Sequence, residues 1–258
     1  PTAIQEQAIP SVLLGRDLVG LAQTGTGKTA AFGLPLIHQL LLKPEALKPR
    51  SARALILSPT RELALQIHDA FVSFGKRLPL NFTHAIGGAP IRKQMRDLAK
   101  GVDILVATPG RLEDLVTQKG LRLDQTKFLI LDEADQMLDI GFLPAVRRIV
   151  GQVSKERQTL LFSATMSKEI KKLTDTYLTD PVQVSVTPEN STVEKITQTL
   201  MHLTKQNKGL ALQRIVSENP RKRIIVFSRT KHGSDKMVKW LATQDIKADA
   251  IHGNKSQG

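Results

Sequence analysis

Ala22-Gln23-Thr24-Gly25-Thr26-Gly27-Lys28-Thr29 puts a lysine and a hydroxyl at the end of a glycine-rich run. Glycines let successive backbone N–H groups turn inward, and a helix starting there adds the partial positive charge of its N-terminus, so the run can cradle phosphate oxygens. The Lys28 ammonium would reach the β- and γ-phosphates of a nucleoside triphosphate, and the Thr29 hydroxyl would bind Mg²⁺. The general pattern opens on Gly where this chain has Ala22. A second constellation, Asp132-Glu133-Ala134-Asp135, supplies carboxylates. An Asp just after a buried strand can hold the Mg²⁺ that bridges the phosphates, and a Glu beside it can orient and deprotonate a water. The expected catalytic set is therefore Lys28, Asp132 and Glu133, with Thr29 and Asp132 as the metal pair.

Each motif has a blander reading. The first could be a ligand-free turn between strand and helix, which leaves Lys28 without a reason to be there. The second could be an acidic loop opening a helix, where carboxylates stabilise the N-terminus. Alone, that reading of Asp132–Asp135 would be as good as the catalytic one; beside Lys28 and Thr29 it is the weaker.

The elements that must position these groups follow from pattern. Short β-branched runs at Leu18–Ala22, Ala54–Ser58, Phe82–Ile86, Ile104–Ala107, Phe128–Leu131, Thr159–Ser163 and Val182–Val186 read as strands. Helix-like stretches lie between them at Ala30–Leu42, Arg61–Lys76, Pro90–Leu98, Gly110–Gln118, Leu143–Val150 and Ser167–Leu178. Strand followed by helix, repeated, predicts an α/β fold with a parallel sheet flanked by helices, and the near-continuous apolar strands agree. Ligands in such sheets gather at the carboxyl ends of strands, where both motifs fall. The first domain is expected over 1–186. A polar, proline-containing linker follows over 187–195. The alternation then restarts over 196–258, with strands at Ile196–Leu203, Arg223–Ser228 and Ala248–His252 and helices at Gly209–Ser217 and Ser234–Thr243. This predicts a partial second α/β domain.

Composition narrows the partners. The 258 residues carry a formal charge of +13, which favours polyanions, nucleic acid first. Residues 191–258 hold 13 Lys/Arg against 5 Asp/Glu, a net of +8, and residues 1–190 the remaining +5. Aromatic content of 4% argues against rows of rings stacked on bases. With no cysteine, disulfides, thiolate metal sites and cysteine nucleophiles are excluded, and a reducing cytoplasm fits. No apolar run approaches membrane-spanning length. His38, His68, His84 and His202 show no metal-ligand spacing. The chain opens on Pro1 and closes on Gly258 straight after a strand-like run, which predicts a piece of a longer protein.

Taken together, the Asp132–Asp135 tetrapeptide, the Ala22–Thr29 loop, Pro59-Thr60-Arg61-Glu62-Leu63-Ala64, Thr108-Pro109-Gly110-Arg111 and Ser163-Ala164-Thr165 resemble the DEAD-box RNA helicases. Pro1-Thr2-Ala3-Ile4-Gln5 is similar to that family's Q motif and Gly87-Gly88 to its GG element. Ile225 to Thr230 resembles motif IV, and His252 to Gln257 the motif after it. The stretches Thr230-Lys231-His232-Gly233 and His252–Gly258 look most like the bacterial RhlE-type subgroup. The resemblance implies two P-loop NTPase, RecA-like domains, the second incomplete here. They would close on ATP and single-stranded RNA, bending the RNA so that a neighbouring duplex is disrupted. It implies that Gln5 reads adenine, its amide offering both a donor and an acceptor. It also implies that Asp135, Ser163 and Thr165 couple the phosphate site to closure. Pro59, Thr60, Arg61, Gly88, Thr108, Gly110 and Arg111 would line the RNA groove, continued by Thr230 and Gly253. Hydroxyls, glycine N–H groups and arginine forks suit phosphates and riboses, and none of them reads a base edge. The aromatic residue upstream of the Q motif, the arginine expected after Gln257 and the motifs supplying arginine fingers are not in this chain, so ATP and RNA binding should exceed turnover. The implied partners are ATP, Mg²⁺ and RNA, with no membrane and a monomeric state. Two other readings stay open: an ATP-gated RNA clamp without unwinding, and a P-loop ATPase acting on DNA.

Overall fold

The computed structural model describes residues 1–186, 197 and 199–255. The chain divides into two compact units, Pro1–Ser191 and Thr192–Gly258.

The first unit starts with helix α1 (Ala3–Leu13), followed by strand β1 (Leu18–Leu21) and helix α2 (Lys28–Leu42). Then come β2 (Ala52–Leu57), α3 (Arg61–Phe74), β3 (Phe82–Ala85), α4 (Ile91–Leu98), β4 (Val102–Ala107) and α5 (Pro109–Thr117). The unit closes with β5 (Phe128–Leu131), α6 (Ala134–Asp139), α7 (Leu143–Val150), β6 (Gln158–Ser163), α8 (Lys168–Tyr177) and β7 (Val182–Ser185).

All seven strands join one parallel sheet in the order β3-β4-β2-β5-β6-β1-β7. Successive side chains leave a strand on opposite faces, and the buried residues sort that way. Leu55, Leu57, Leu129 and Leu131 enter a core layer with Leu112 and Leu115 of α5 and Val146 and Ile149 of α7. Ala54, Ile56 and Ile130 enter the other, with Ile4 and Ala8 of α1, Phe32 and Leu36 of α2, and Ile67 and Phe71 of α3. Both faces of the sheet are covered, which is why these strands read as continuous apolar runs.

The strand order matters for function because it sorts the motifs. Along the chain the three polyanion motifs interrupt the nucleotide ones. Along the carboxyl edge of the sheet, β1, β6 and β5 lie side by side and carry Ala22–Gly27, Ser163–Thr165 and Asp132–Glu133. The neighbouring strands β2, β4 and β3 carry Pro59–Arg61, Thr108–Arg111 and Gly87–Gly88.

Two helices lie outside the stretches read as helical, α1 and α6; the second is the one that the plainer reading of Asp132–Asp135 allowed for. In the second unit the expected helices occur, as α9 (Lys208–Glu218) and α10 (Lys231–Ala242). The expected strands at Arg223–Ser228 and Ala248–His252 do not form, and neither do the described residues of Ile196–Leu203. A strand exists only through the ladder it makes with a neighbour, and these runs have none. Ile225, Phe227 and Ile251 stand 81%, 94% and 97% exposed. The expected α/β alternation is thus two helices and no strand among the described residues of this unit. The expected linker, 187–195, lies outside the described residues. No described helix is long and apolar enough to cross a membrane.

Candidate nucleotide and nucleic-acid site

The Ala22–Gly27 loop leaves β1 and enters α2 through Gly27, whose φ of +95° is left-handed. Only glycine serves here: a Cβ would lie 2.5 Å from Gln5 Nε2 and 2.9 Å from Thr2 Oγ1. Gly25 (φ +85°) faces open space, with nothing within 4 Å of where a Cβ would stand. Thr26 Oγ1 donates to Gln23 O at 2.8 Å, closing the turn.

Gln5 ties α1 to this loop. Its Nε2 donates to Gly27 O at 3.1 Å, and its Oε1 accepts from Thr2 N at 3.0 Å. An amide has two N–H groups and two acceptor lone pairs, so one of each remains for a ligand. Thr2 and Gln5 also form the T-x-x-Q start signal of α1, which could have revealed that helix in the sequence.

Lys28 begins α2 and is 6% exposed. Its ammonium sits 3.9 Å from Asp132 Oδ1 and 3.9 Å from Glu133 Oε1, too far to hydrogen-bond either, and Nζ has no hydrogen-bond partner. A buried ammonium that pairs with carboxylates but has no hydrogen bond is under-satisfied, and anionic oxygens placed between it and the loop would supply the missing bonds. The residues present therefore fit a triphosphate with its metal: a glycine-rich turn at a helix start, an ammonium without a hydrogen bond, the Thr29 hydroxyl and the Asp132 carboxylate.

Asp132 follows Leu131 of β5 and so takes the face of Ile130, the one α2 packs against. Burial pushes its carboxyl up to about 6; Lys28 opposes the rise and Glu133 adds to it. Oδ1 accepts from Glu133 N at 3.1 Å. Glu133 adopts φ 50°, ψ 54°, a left-handed conformation that costs a non-glycine residue about 1–3 kcal/mol. Thr24 Oγ1 holds its carboxylate, donating to Oε1 at 2.7 Å. Asp135 Oδ2 accepts from Ala164 N (3.1 Å), Thr165 N (3.0 Å) and Thr165 Oγ1 (3.1 Å). Ser163 Oγ donates to Thr165 O at 2.8 Å. The three residues expected to couple thus form one knot between the ends of β5 and β6.

The second half of the edge is built differently. Thr60 caps α3, accepting from Leu63 N at 3.2 Å, and Pro59 is buried beneath it. Arg61 is exposed and its guanidinium lies over the glycine pair; a Cβ on Gly88 would stand 2.5 Å from its Nη1. Thr108 is buried, and Gly110 is open, with nothing within 4 Å of a would-be Cβ. Arg111 is only 12% exposed; its Nη1 donates to Ala89 O at 2.8 Å and Gln94 Oε1 at 2.9 Å. It thus braces the glycine loop, leaving Nη2 for a ligand. Gln94, in turn, donates to Ile86 O at 3.0 Å. This buried brace was not foreseen from the sequence.

In the second unit, Thr230 caps α10 through Gly233 N (3.0 Å). Lys231 Nζ donates to Asn254 Oδ1 at 2.9 Å and would lie 3.7 Å from a Cβ on Gly253. Thr230 and Gly253 are therefore brought to one place. Among the described residues, no group of three or more His, Asp or Glu could hold a metal ion by itself.

A family model described as DEAD/DEAH box helicase matches residues 2–173. The chain belongs to the DEAD/DEAH box helicases. It is 40% identical, over its whole length, to proteins named ATP-dependent RNA helicase DBP2 from Debaryomyces hansenii and DEAD-box ATP-dependent RNA helicase RhpA from Helicobacter pylori. It is 41% identical to the DBP2 protein of Candida albicans. It covers 49%, 51% and 46% of those proteins, so the chain spans about half the length of these relatives.

Proposed function

We propose that the protein carrying this chain is an ATP-dependent RNA helicase that grips RNA by its backbone and locally unwinds duplexes as ATP is hydrolysed. The observation that carries this reading is the buried Lys28 ammonium, without a hydrogen bond and set between Asp132 and Glu133 at ion-pair distance, on the same sheet edge as Arg61 and Gly88. The loop Thr24–Gly27 with Lys28 and Thr29 grips the triphosphate, and Gln5 takes the adenine edge. Thr29 and Asp132 would hold Mg²⁺, which would supply positive charge against the triphosphate. Glu133, fixed by Thr24, takes a proton from the attacking water. Asp135, Ser163 and Thr165 make the end of β6 sensitive to what β5 and the loop hold. Thr60, Arg61, Gly88, Thr108, Gly110 and Arg111, with Pro59 shaping the turn, take phosphates and riboses in the first unit; Thr230 and Gly253 do so in the second. Contacts to the 2′-OH favour RNA over DNA.

Within the family, we place the chain in the RhlE-type subgroup on Thr230–Gly233 and His252–Gly258; a monomeric, cytoplasmic protein belongs to the same reading. The test is ATP hydrolysis by the complete protein with no nucleic acid, with RNA and with DNA of the same sequence. The reading expects at least tenfold stimulation by RNA alone. Equal stimulation by DNA would replace it with a DNA-directed ATPase. Tight ATP-dependent RNA binding without hydrolysis would replace it with a clamp.

A further inference from the structure

Among the described residues of the first unit, most arginines are occupied. Arg16, Arg53, Arg111, Arg122 and Arg148 make ion pairs, and Arg50 and Arg157 donate to backbone carbonyls. Five have neither an ion pair nor a hydrogen bond: Arg61, Arg77, Arg92, Arg96 and Arg147. Three of these fall at the glycine pair or on the helix that follows it: Arg61, Arg92 and Arg96. Arg61 lies over Gly88, and α4, which starts three residues after it, carries Arg92 and Arg96 on its exposed side. Their i, i+4 spacing puts them on one face, about 6 Å apart along the axis, the order of one nucleotide step along an extended strand. Exposed Lys93 and Lys100 flank them, and neither makes an ion pair among the described residues.

A basic helix face is ordinarily just solvated. This one is tied to the RNA edge. Its buried Gln94 donates to Ile86 O, where β3 runs into the glycine pair, and accepts from Arg111 of the Thr108–Arg111 turn. Arg111 also holds Ala89 O, one residue before the helix cap at Pro90. The helix is thereby fixed to the loop that carries Gly88 and to the first turn of α5, which carries Gly110, its other face buried by Gln94 and Leu98.

We propose that the exposed face of α4 is an outboard RNA-backbone site, in which Arg92 and Arg96 take the phosphates of the strand segment running on past Gly88. This rests on the RNA reading above and extends it: the footprint on this unit is longer than the motif residues alone would give. The site reads charge and spacing, so it adds affinity without sequence preference.

The test uses the complete protein with ATP and Mg²⁺, binding a short RNA that fills only the motif track (about six nucleotides) and a 20-mer of the same composition. The double variant Arg92→Gln/Arg96→Gln is expected to bind the 20-mer about tenfold more weakly at 0.1 M salt. The slope of log K against log salt should fall by about 1.4, about 0.7 per lost phosphate contact on a single strand. Its affinity for the short RNA should stay within twofold. Unchanged binding of the 20-mer would overturn the proposal, and so would equal weakening of both RNAs. Failure of the RNA reading itself would look different, because the unsubstituted protein would then bind neither RNA.

Discussion

At the scale of the residue, the site is held in tension. Asp132 is a buried carboxyl whose pKa is raised to about 6 from an ordinary 3.8. A carboxyl raised on folding contributes stability that is complete below about pH 4 and lost as pH rises through about 6. At neutral pH its charge opposes folding by an amount on the order of 2–3 kcal/mol. Asp132→Asn is therefore expected to melt several degrees higher than the parent at pH 7.5 without ligand, with the advantage gone at pH 4, while Mg²⁺-dependent ATP binding is lost. Thermal melts across that window check both halves. Equal melting temperatures at pH 7.5 would mean that Asp132 is not paying this penalty. Glu133 has a different part. Its left-handed backbone and its bond from Thr24 aim a carboxylate without burying it fully. Glu133→Gln keeps that shape and should bind ATP nearly as tightly, with turnover reduced about 10²–10⁴-fold, the usual contribution of a positioned base. Single-turnover hydrolysis measures it, and normal turnover would remove Glu133 from that role.

At the scale of the element, the joint between β5 and β6 rests on one side chain. Asp135 accepts three hydrogen bonds from Ala164 and Thr165. Asp135→Ala should leave the fold intact and speed amide exchange at Ala164 and Thr165 about tenfold or more; exchange rates that do not move would show that the knot does not hold the loop. Much of this architecture was legible beforehand. Phe128–Leu131 and Leu143–Val150 formed over the residues expected, and the other strands of the first unit shifted by no more than two residues at either end; the central strands are the plainest, being apolar runs buried on both faces. The helix α1 was hidden by Pro10 in its interior, and α6 by its six-residue length. The position of β6 between β5 and β1 was not legible, since strand order is decided by packing across the whole layer. Nor was the Gln94–Arg111 brace, which needs two turns of chain brought together from opposite sides of β4. In the second unit the strand-like runs were read correctly as apolar and wrongly as paired. Pattern specifies a strand's faces, but only a neighbour supplies its hydrogen bonds.

At the scale of the whole molecule, the sheet sorts two chemistries along one edge: triphosphate groups at β1, β6 and β5, polyanion groups at β2, β4 and β3. A charge of +13 with few aromatic residues predicts that RNA affinity is carried by phosphates. Raising salt from 0.05 to 0.2 M should therefore weaken RNA binding at least tenfold, through counterion release; a flat profile would mean that stacking or base contacts dominate. The central claim is that the Lys28 ammonium, buried and without a hydrogen bond beside Asp132 and Glu133, is the grip on the triphosphate. The most direct measurement is calorimetric titration of Mg²⁺-ATP into the protein, its Lys28→Ala variant and its Glu133→Gln variant. The expected result is a loss of about a hundredfold or more for Lys28→Ala, the value of roughly 3 kcal/mol for a charge-assisted contact, with Glu133→Gln within a few-fold of the parent. A Lys28→Ala protein that binds Mg²⁺-ATP as tightly as the parent would contradict it.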